Sequence, residues 1–292
     1  MINSAIKRFI WTLGVWWLVA LSGLPQAGRA QEQDRPLPDL KEFVNESRKK
    51  LRYDRALLGQ YTFREKNTER QLDKNGRVTK TKIEVADIFP SPGPEGTYVR
   101  VIEKDGKPVP QSELDKQDRE REELRRKYSD ERRRNARLAK EAEEHRKQEE
   151  TIDEILLAFD ISMLGREAVD GHPTIVLDLK PRRNYKPKTS DAKVFPKIAA
   201  RVWIHETEHE MVKFEAIVID DIKLGLGLLG RLDKGSGLTG ERRKINDEIW
   251  LPAIFRAKAS GRILLLKGVR AEYISEYSDY QKFSVDVKIS TP

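Results

Sequence analysis

Val169-Asp-Gly171-His172-Pro-Thr174-Ile-Val-Leu-Asp-Leu179-Lys180 reads as a tight turn feeding a strand. Asp-Gly tolerates the positive φ of a two-residue hairpin turn, and the run that follows is β-branched and apolar. The same signature recurs to either side. Ile161–Val169 leads into the turn, and Ala200–Ile204 and Met211–Ile222 follow, joined by a polar turn. Beyond a glycine-rich stretch, 225–240, read as a loop or bulged strand, come Ile245–Ala259, Arg262–Tyr273 and Tyr280–Ile289. Upstream, Tyr61–Asp73 and Val78–Phe89 flank Lys74-Asn75-Gly76, and Thr97–Ile102 runs on to Asp105-Gly106. These are about ten strands, mostly in sequence-adjacent hairpins. So long a meander predicts a large antiparallel sheet that curls and covers one face.

Two segments have helical character. From Asp39, the residues Leu40, Phe43, Val44, Ser47, Leu51 and Leu58 fall near i, i+3, i+4, i+7 spacing. Asp39 with Glu42 makes a capping box, and Gly59 ends the helix. Residues 111–150 hold 26 charged side chains, 13 of each sign, with no Gly or Pro. They predict one long helix with many i,i+4 ion pairs, inserted in the domain and either solvated, a lid or a partner-binding arm. Its apolar end, Ile152, Ile155 and Leu156, is placed to dock on the core. Helices that cover a curled sheet make the class α+β.

The first thirty residues read as a cleavable secretory signal. Lys7-Arg8 precede an uncharged apolar run, Phe9–Leu24; Pro25 breaks it, and Gly28-Arg29-Ala30 puts small residues before Gln31. Cleavage near Ala30 would leave 262 residues, a short Pro-containing linker over 31–38 and a single domain over 39–292. A retained membrane anchor is the alternative. Without Lys7, Arg8 and Arg29 the net charge falls from +8 to about +5. In an exported protein, periplasmic or secreted, that excess fits anionic headgroups or cell-wall polymers, and no motif that reads nucleic acid is present. There is no cysteine, so disulfides, thiolate metal sites and N-terminal lipidation are excluded.

Two motifs resemble chemistry. His205-Glu206-Thr207-Glu208-His209 matches H-E-x-x-H, which binds zinc when the two His stack one turn apart on a helix. Here it lies between two strands, where a hairpin would splay the histidines; a zinc-dependent hydrolase using His205, Glu206 and His209 is kept as an alternative. Gly225-Leu-Gly227-Leu-Leu-Gly230 matches G-x-G-x-x-G, but Gly235, Gly237 and Gly240 follow where a dinucleotide site needs a helix. No nucleophile elbow or phosphate loop is found, and no cofactor is implied.

From about Asp160 the chain resembles the LolA/LolB-like group of envelope lipoprotein carriers. The resemblance rests on Val169–Pro181, with its turn glycine and Lys-Pro exit, and on Arg201-Val-Trp203-Ile204 before a polar turn. Glu248-Ile-Trp250-Leu-Pro252 with Tyr277-Ser-Asp-Tyr280-Gln-Lys-Phe283 completes it. It implies a half-open antiparallel barrel whose concave face holds lipid or lipoprotein acyl chains, a non-catalytic role in outer membrane biogenesis. Phe63, Val85, Val101, Ile175, Val202, Ile204, Phe214 and Trp250 are the candidate lining residues. The inserted 111–150 helix departs from compact carriers. It leaves open an envelope interaction or scaffold protein that binds a protein partner through this helix and is at most peripheral to a membrane.

Overall fold

The structure is a computed structural model and describes residues 35–91, 93–189, 191–224, 230–263 and 267–282. The signal segment, Gly225–Leu229 and the chain beyond Lys282 lie outside them. Helix α1 (Leu40–Leu58) precedes the strands β1 (Tyr61–Leu72), β2 (Val78–Phe89), β3 (Tyr98–Lys104) and β4 (Lys107–Pro108). Helices α2 (Gln111–Lys127) and α3 (Glu131–Ala158) follow. Then come β5 (Phe159–Val169), β6 (His172–Pro181), a 3-10 helix (Asp191–Lys197), β7 (Ile198–His205) and β8 (Met211–Val218). The chain continues through β9 (Ile222–Leu224), β10 (Gly230–Leu232), β11 (Gly237–Ile245), β12 (Ile249–Ile263) and β13 (Lys267–Lys282). The strands form one sheet in the order β4-β3-β2-β1-β13-β12-β11-β8-β7-β6-β5, with the short β9–β10 pair attached to β12. Every pairing is antiparallel, as hairpin connections require.

The turns follow local chemistry. Asp105-Gly106 and Asp170-Gly171 both have positive φ at both residues, the mirror-image turn whose twist matches the flanking strands. Asn246 and Asp247 do the same without a glycine, at φ 52° and 53°. That turn separates β11 from β12 where the sequence pattern ran as one strand from Ile245. Part of the glycine-rich stretch is ladder: β10 and the first four residues of β11, Gly237–Gly240, fall inside 225–240.

The register sorts side chains onto two faces, since directly opposed residues share a face. Ile175, Leu177, Leu179, Ala200, Val202, Phe214 and Ala216 share the inner one, buried with Phe43 of α1 and Ala158 and Phe159 at the end of α3. Burial of each large side chain contributes about 1.5–3 kcal/mol. The outer face carries cross-strand ion pairs: Lys66–Glu276 (2.8 Å), Lys258–Glu272 (3.1 Å) and Arg256–Glu241 (3.4 Å). Such surface pairs add little stability; they hold this face in water and penalise a one-residue slip.

The charged segment is two helices, not the single one its composition predicted. The break falls at Tyr128–Asp130. The Asp130 carboxylate accepts the Arg133 N–H at 2.9 Å, and the Ser129 hydroxyl donates to the Arg126 carbonyl. An Asx N-cap starts a new helix without any glycine or proline to announce it. Helix α2 covers a sheet edge. Beyond β3 lies only two-residue β4, and the Gln117 amide fills the gap: its Oε1 accepts the Val101 N–H (2.8 Å) and its Nε2 donates to the Val101 carbonyl (3.0 Å). Buried Arg121 donates to the Glu95 and Gly96 carbonyls beside it. The edge is thereby closed to other strands.

Gly240 pairs with Phe214 across β11 and β8, and the ring lies over the glycine; a Cβ there would come 2.2 Å from the ring. Gly240→Ala is therefore expected to destabilise the protein by about 1–3 kcal/mol through overpacking, read as a lower midpoint in denaturant unfolding. An unchanged midpoint would contradict this packing.

Candidate functional site

An apolar cleft lies between the inner face and two helices. Val44, Ser47 and Arg48 of α1 form one wall, and Ile152, Ile155 and Leu156 of α3 another. The floor is Ile161 of β5, Leu177 and Leu179 of β6, Val202 and Ile204 of β7, and Met211 of β8; His209 stands in the β7–β8 turn. The spacing of α1 and the alternation of the strands put these residues here.

The cleft measures about 70 Å³. Ligand sites for drug-sized molecules occupy ~300–1,000 Å³, and a water in the liquid takes ~30 Å³. In this conformation the cleft is several-fold smaller than such a site. Side chains tie α1 and α3 down. Arg48 of α1 pairs with Asp153 of α3 at 2.8 Å, Lys50 with Glu210 at 3.7 Å, and Phe43 packs on the His209 ring at 5.0 Å.

The C-terminal part of α3 is fixed by Glu154. This buried carboxylate accepts from the Lys188 N–H (2.9 Å), the Thr189 N–H (2.7 Å) and the Tyr185 hydroxyl, so it anchors the loop before the 3-10 helix. Burial by itself raises its pKa, but these hydrogen bonds outweigh that and hold it below the ordinary Glu value. Burial first, and then the bond to Glu154, push the Tyr185 hydroxyl up.

The structure divides the candidate lining residues. Val202 and Ile204 line the cleft, and Ile175 and Phe214 sit in the buried cluster around it. Phe63 and Val101 share the inner face but lie in the other half of the sheet. Phe63 packs on Tyr280 (5.3 Å) and Tyr277 (6.0 Å), and Val101 is bonded to Gln117. Val85 lies on the opposite face, because its cross-strand neighbour is Lys66, itself opposite Glu276; Ala86 and Ile88 take the inner positions of β2. Reading Val85 as inward followed residue type and missed the phase of the alternation. Trp250 lies outside the cleft, its Nε1 donating to Glu208 (2.7 Å) and its ring edge against His172 (4.7 Å). The helical walls were legible as apolar stripes, yet nothing in the sequence says which stretch of sheet they cover.

The H-E-x-x-H segment is a turn. β7 ends at His205, β8 begins at Met211, and His209 has φ 58°. The rings diverge: His205 faces His172 and Trp250, both at 5.8 Å, whereas His209 faces Phe43. Both carboxylates are engaged. Arg166 grips Glu206 through two nitrogens (2.7 and 3.0 Å) and holds its pKa down; Lys244 and Trp250 bind Glu208. Burial lowers the His205 pKa. Among the described residues no three His, Asp or Glu side chains group to hold a metal ion. The helical geometry of the zinc-hydrolase reading is absent. Gly230 of the glycine motif begins a strand where a dinucleotide site needs a helix.

No family model matches this sequence, and no curated protein does either. Among solved structures, the chain is similar over 86% of its length to a DUF1329 family protein from Desulfovibrio piger, at 12% identity, 95% coverage of that chain and a TM-score of 0.32. It is similar over 86% to a LolA superfamily protein from Nitrosomonas europaea, at 12% identity, 97% coverage and a TM-score of 0.27. A chain of the Pseudomonas aeruginosa MucA/MucB complex aligns with 85% of it, at 8% identity, 100% coverage and a TM-score of 0.25. No helix among the described residues is long and apolar enough to cross a membrane.

Glu154→Gln replaces an acceptor oxygen with an amide facing two N–H donors, so it is expected to destabilise α3 docking by about 1–3 kcal/mol at neutral pH. The carboxylate's stabilisation is complete above the unfolded pKa of about 4.3 and disappears as pH falls through the lower folded value. The stability gap between wild type and variant should therefore be flat above about pH 5 and narrow below pH 4. A gap that widens in acid would overturn this role for the carboxylate.

Proposed function

We propose that this protein is a non-catalytic, extracytoplasmic carrier or sensor that binds lipid or the acyl part of a lipoprotein. The ligand would enter between α1, α3 and β5–β8. The observation that carries this reading is the cleft itself: an almost wholly apolar lining, closed by two helices that side chains rather than a backbone ladder hold in place. Acyl chains need area more than directional bonds, at about 25 cal/mol per Å² removed from water. Opening α1 or α3 would extend a 70 Å³ cleft along an inner face already lined by Leu177, Leu179, Val202 and Ile204. The signal-like N-terminus and the resemblance to envelope carriers support a periplasmic site of action.

The test is native mass spectrometry of protein purified from an envelope fraction, with titration of a fluorescent hydrophobic probe. Bound lipid, or a probe that lipid displaces, is expected. Ile155→Trp fills the cleft from the α3 side and should weaken probe binding at least about tenfold, since roughly 1.4 kcal/mol is a factor of ten. A folded wild type that neither carries lipid nor binds probe would sink the proposal. Intact mass should also place the mature N-terminus at Gln31; a full-length chain recovered with membranes would favour a retained anchor instead.

A further inference from the structure

We infer that the junction of α2 and α3 is a docking surface for an anionic lipid bilayer. Residues 124 to 140 hold eight Lys and Arg and two acids, Asp130 and Glu131. The charges gather at the break. Arg125, Arg126 and Lys127 end α2, and Arg132, Arg133 and Arg134 fill the first turn of α3, all six exposed. Glu122 approaches Arg125 (4.0 Å) and Arg126 (3.5 Å), and Arg137 pairs with Glu141 (2.7 Å). Among the described residues no carboxylate pairs with Arg132, Arg133 or Arg134. Leu124 and Leu138, 40% and 39% exposed, flank the break, and Tyr128 lies in it beneath Lys127.

This layout opposes helix stability. The N-terminus of a helix carries partial positive charge and favours acids; α3 has them in the Asp130 cap and Glu131, but three arginines follow at once in the same turn, and its last turn has no basic residue. An arrangement that costs the helix points to a use outside it. Three consecutive residues at 100° per residue also span about 200° of the helix, so the arginines form a broad, partial ring around the knuckle and not a patch on one face. A folded partner with one acidic patch would meet only part of that ring. A headgroup layer that the knuckle enters meets all of it, arginine pairs bidentately with phosphate, and exposed leucines gain from the acyl boundary. The rod is anchored at both ends, by Gln117 and Arg121 on the β3 edge and by Glu154, Ile155 and Ala158 on the core, so the knuckle is held at mid-span.

The experiment uses the full mature chain and sedimentation with vesicles of one-third phosphatidylglycerol in phosphatidylcholine, against vesicles of pure phosphatidylcholine. Binding to the anionic vesicles alone is expected, and it should be lost near 0.5 M salt, where screening shortens to a few ångströms, ~3–5 Å. Deleting 111–150 would strip the β3 edge, so the variant is the triple charge reversal Arg132→Glu, Arg133→Glu, Arg134→Glu. This reversal agrees with the helix dipole and should leave the melting temperature unchanged or raised, while vesicle affinity falls on the order of a hundredfold or more. The variant should still bind the hydrophobic probe, which separates this inference from the cleft reading. Undiminished vesicle binding by a folded variant, equal binding to both vesicle types, or binding of soluble polyglutamate without vesicle binding would each overturn it. The last result would mark an acidic polypeptide as the partner.

Discussion

The pairing of β1 with β13 carries the architecture. It runs from Tyr61 opposite Lys282 to Gln71 opposite Ala271 and joins strands about two hundred residues apart in the chain. It is the seam between the strands before the charged helices and those after them. Side chains fix its register on both faces. Lys66 meets Glu276 outside, and inside the Asn67 side chain accepts from the Ser275 hydroxyl (2.6 Å) and the Tyr273 hydroxyl. A seam of such sequence separation is costly to close, so it forms late relative to the local hairpins that flank it.

Once closed, the seam divides the inner face by chemistry. At β5–β8 the face is aliphatic and α1 and α3 cover it. At β1 and β13 it alternates carboxylates, amide and hydroxyls, with Glu65, Asn67 and Glu69 opposite Tyr277, Ser275 and Tyr273. Burial holds the Tyr273 and Tyr277 hydroxyls above their ordinary pKa, so they stay protonated donors. Among the described residues it is the aliphatic half that lines the apolar cleft. The helices over it depend on individual contacts such as Phe43, Arg48–Asp153 and Glu154, as expected of elements that open below the global unfolding free energy.

The two edges of the sheet are managed differently. The β3 edge is filled by an amide from α2. The β5 edge is bent by a register shift at Met163–Gly165, which turns it away from strand pairing. The α2–α3 rod thus does two jobs: its ends seal and cover, and its middle projects charge. A uniformly solvated helix would show no asymmetry along its length. Here positive charge gathers at the break although the whole segment is balanced.

Much was legible without coordinates. Asp105-Gly106, Asp170-Gly171 and Asn75-Gly76 placed three hairpins because the positive φ that the first two pairs and Gly76 adopt is a local property. The α1 stripe through Leu40, Phe43 and Val44 predicted a covering helix because 3.6-residue spacing is local as well. The strands flanking His205–His209 already argued against a helical zinc site. Tertiary structure decided what depends on register and distance. Val85 faces the charged side because Lys66 is its neighbour, and Trp250 bonds to Glu208 because a hairpin turn meets the start of β12. The helix break at Tyr128–Asp130 needed a side-chain cap that composition does not reveal. The volume of the cleft was settled by how closely two helices, far apart in the chain, settle onto one stretch of sheet.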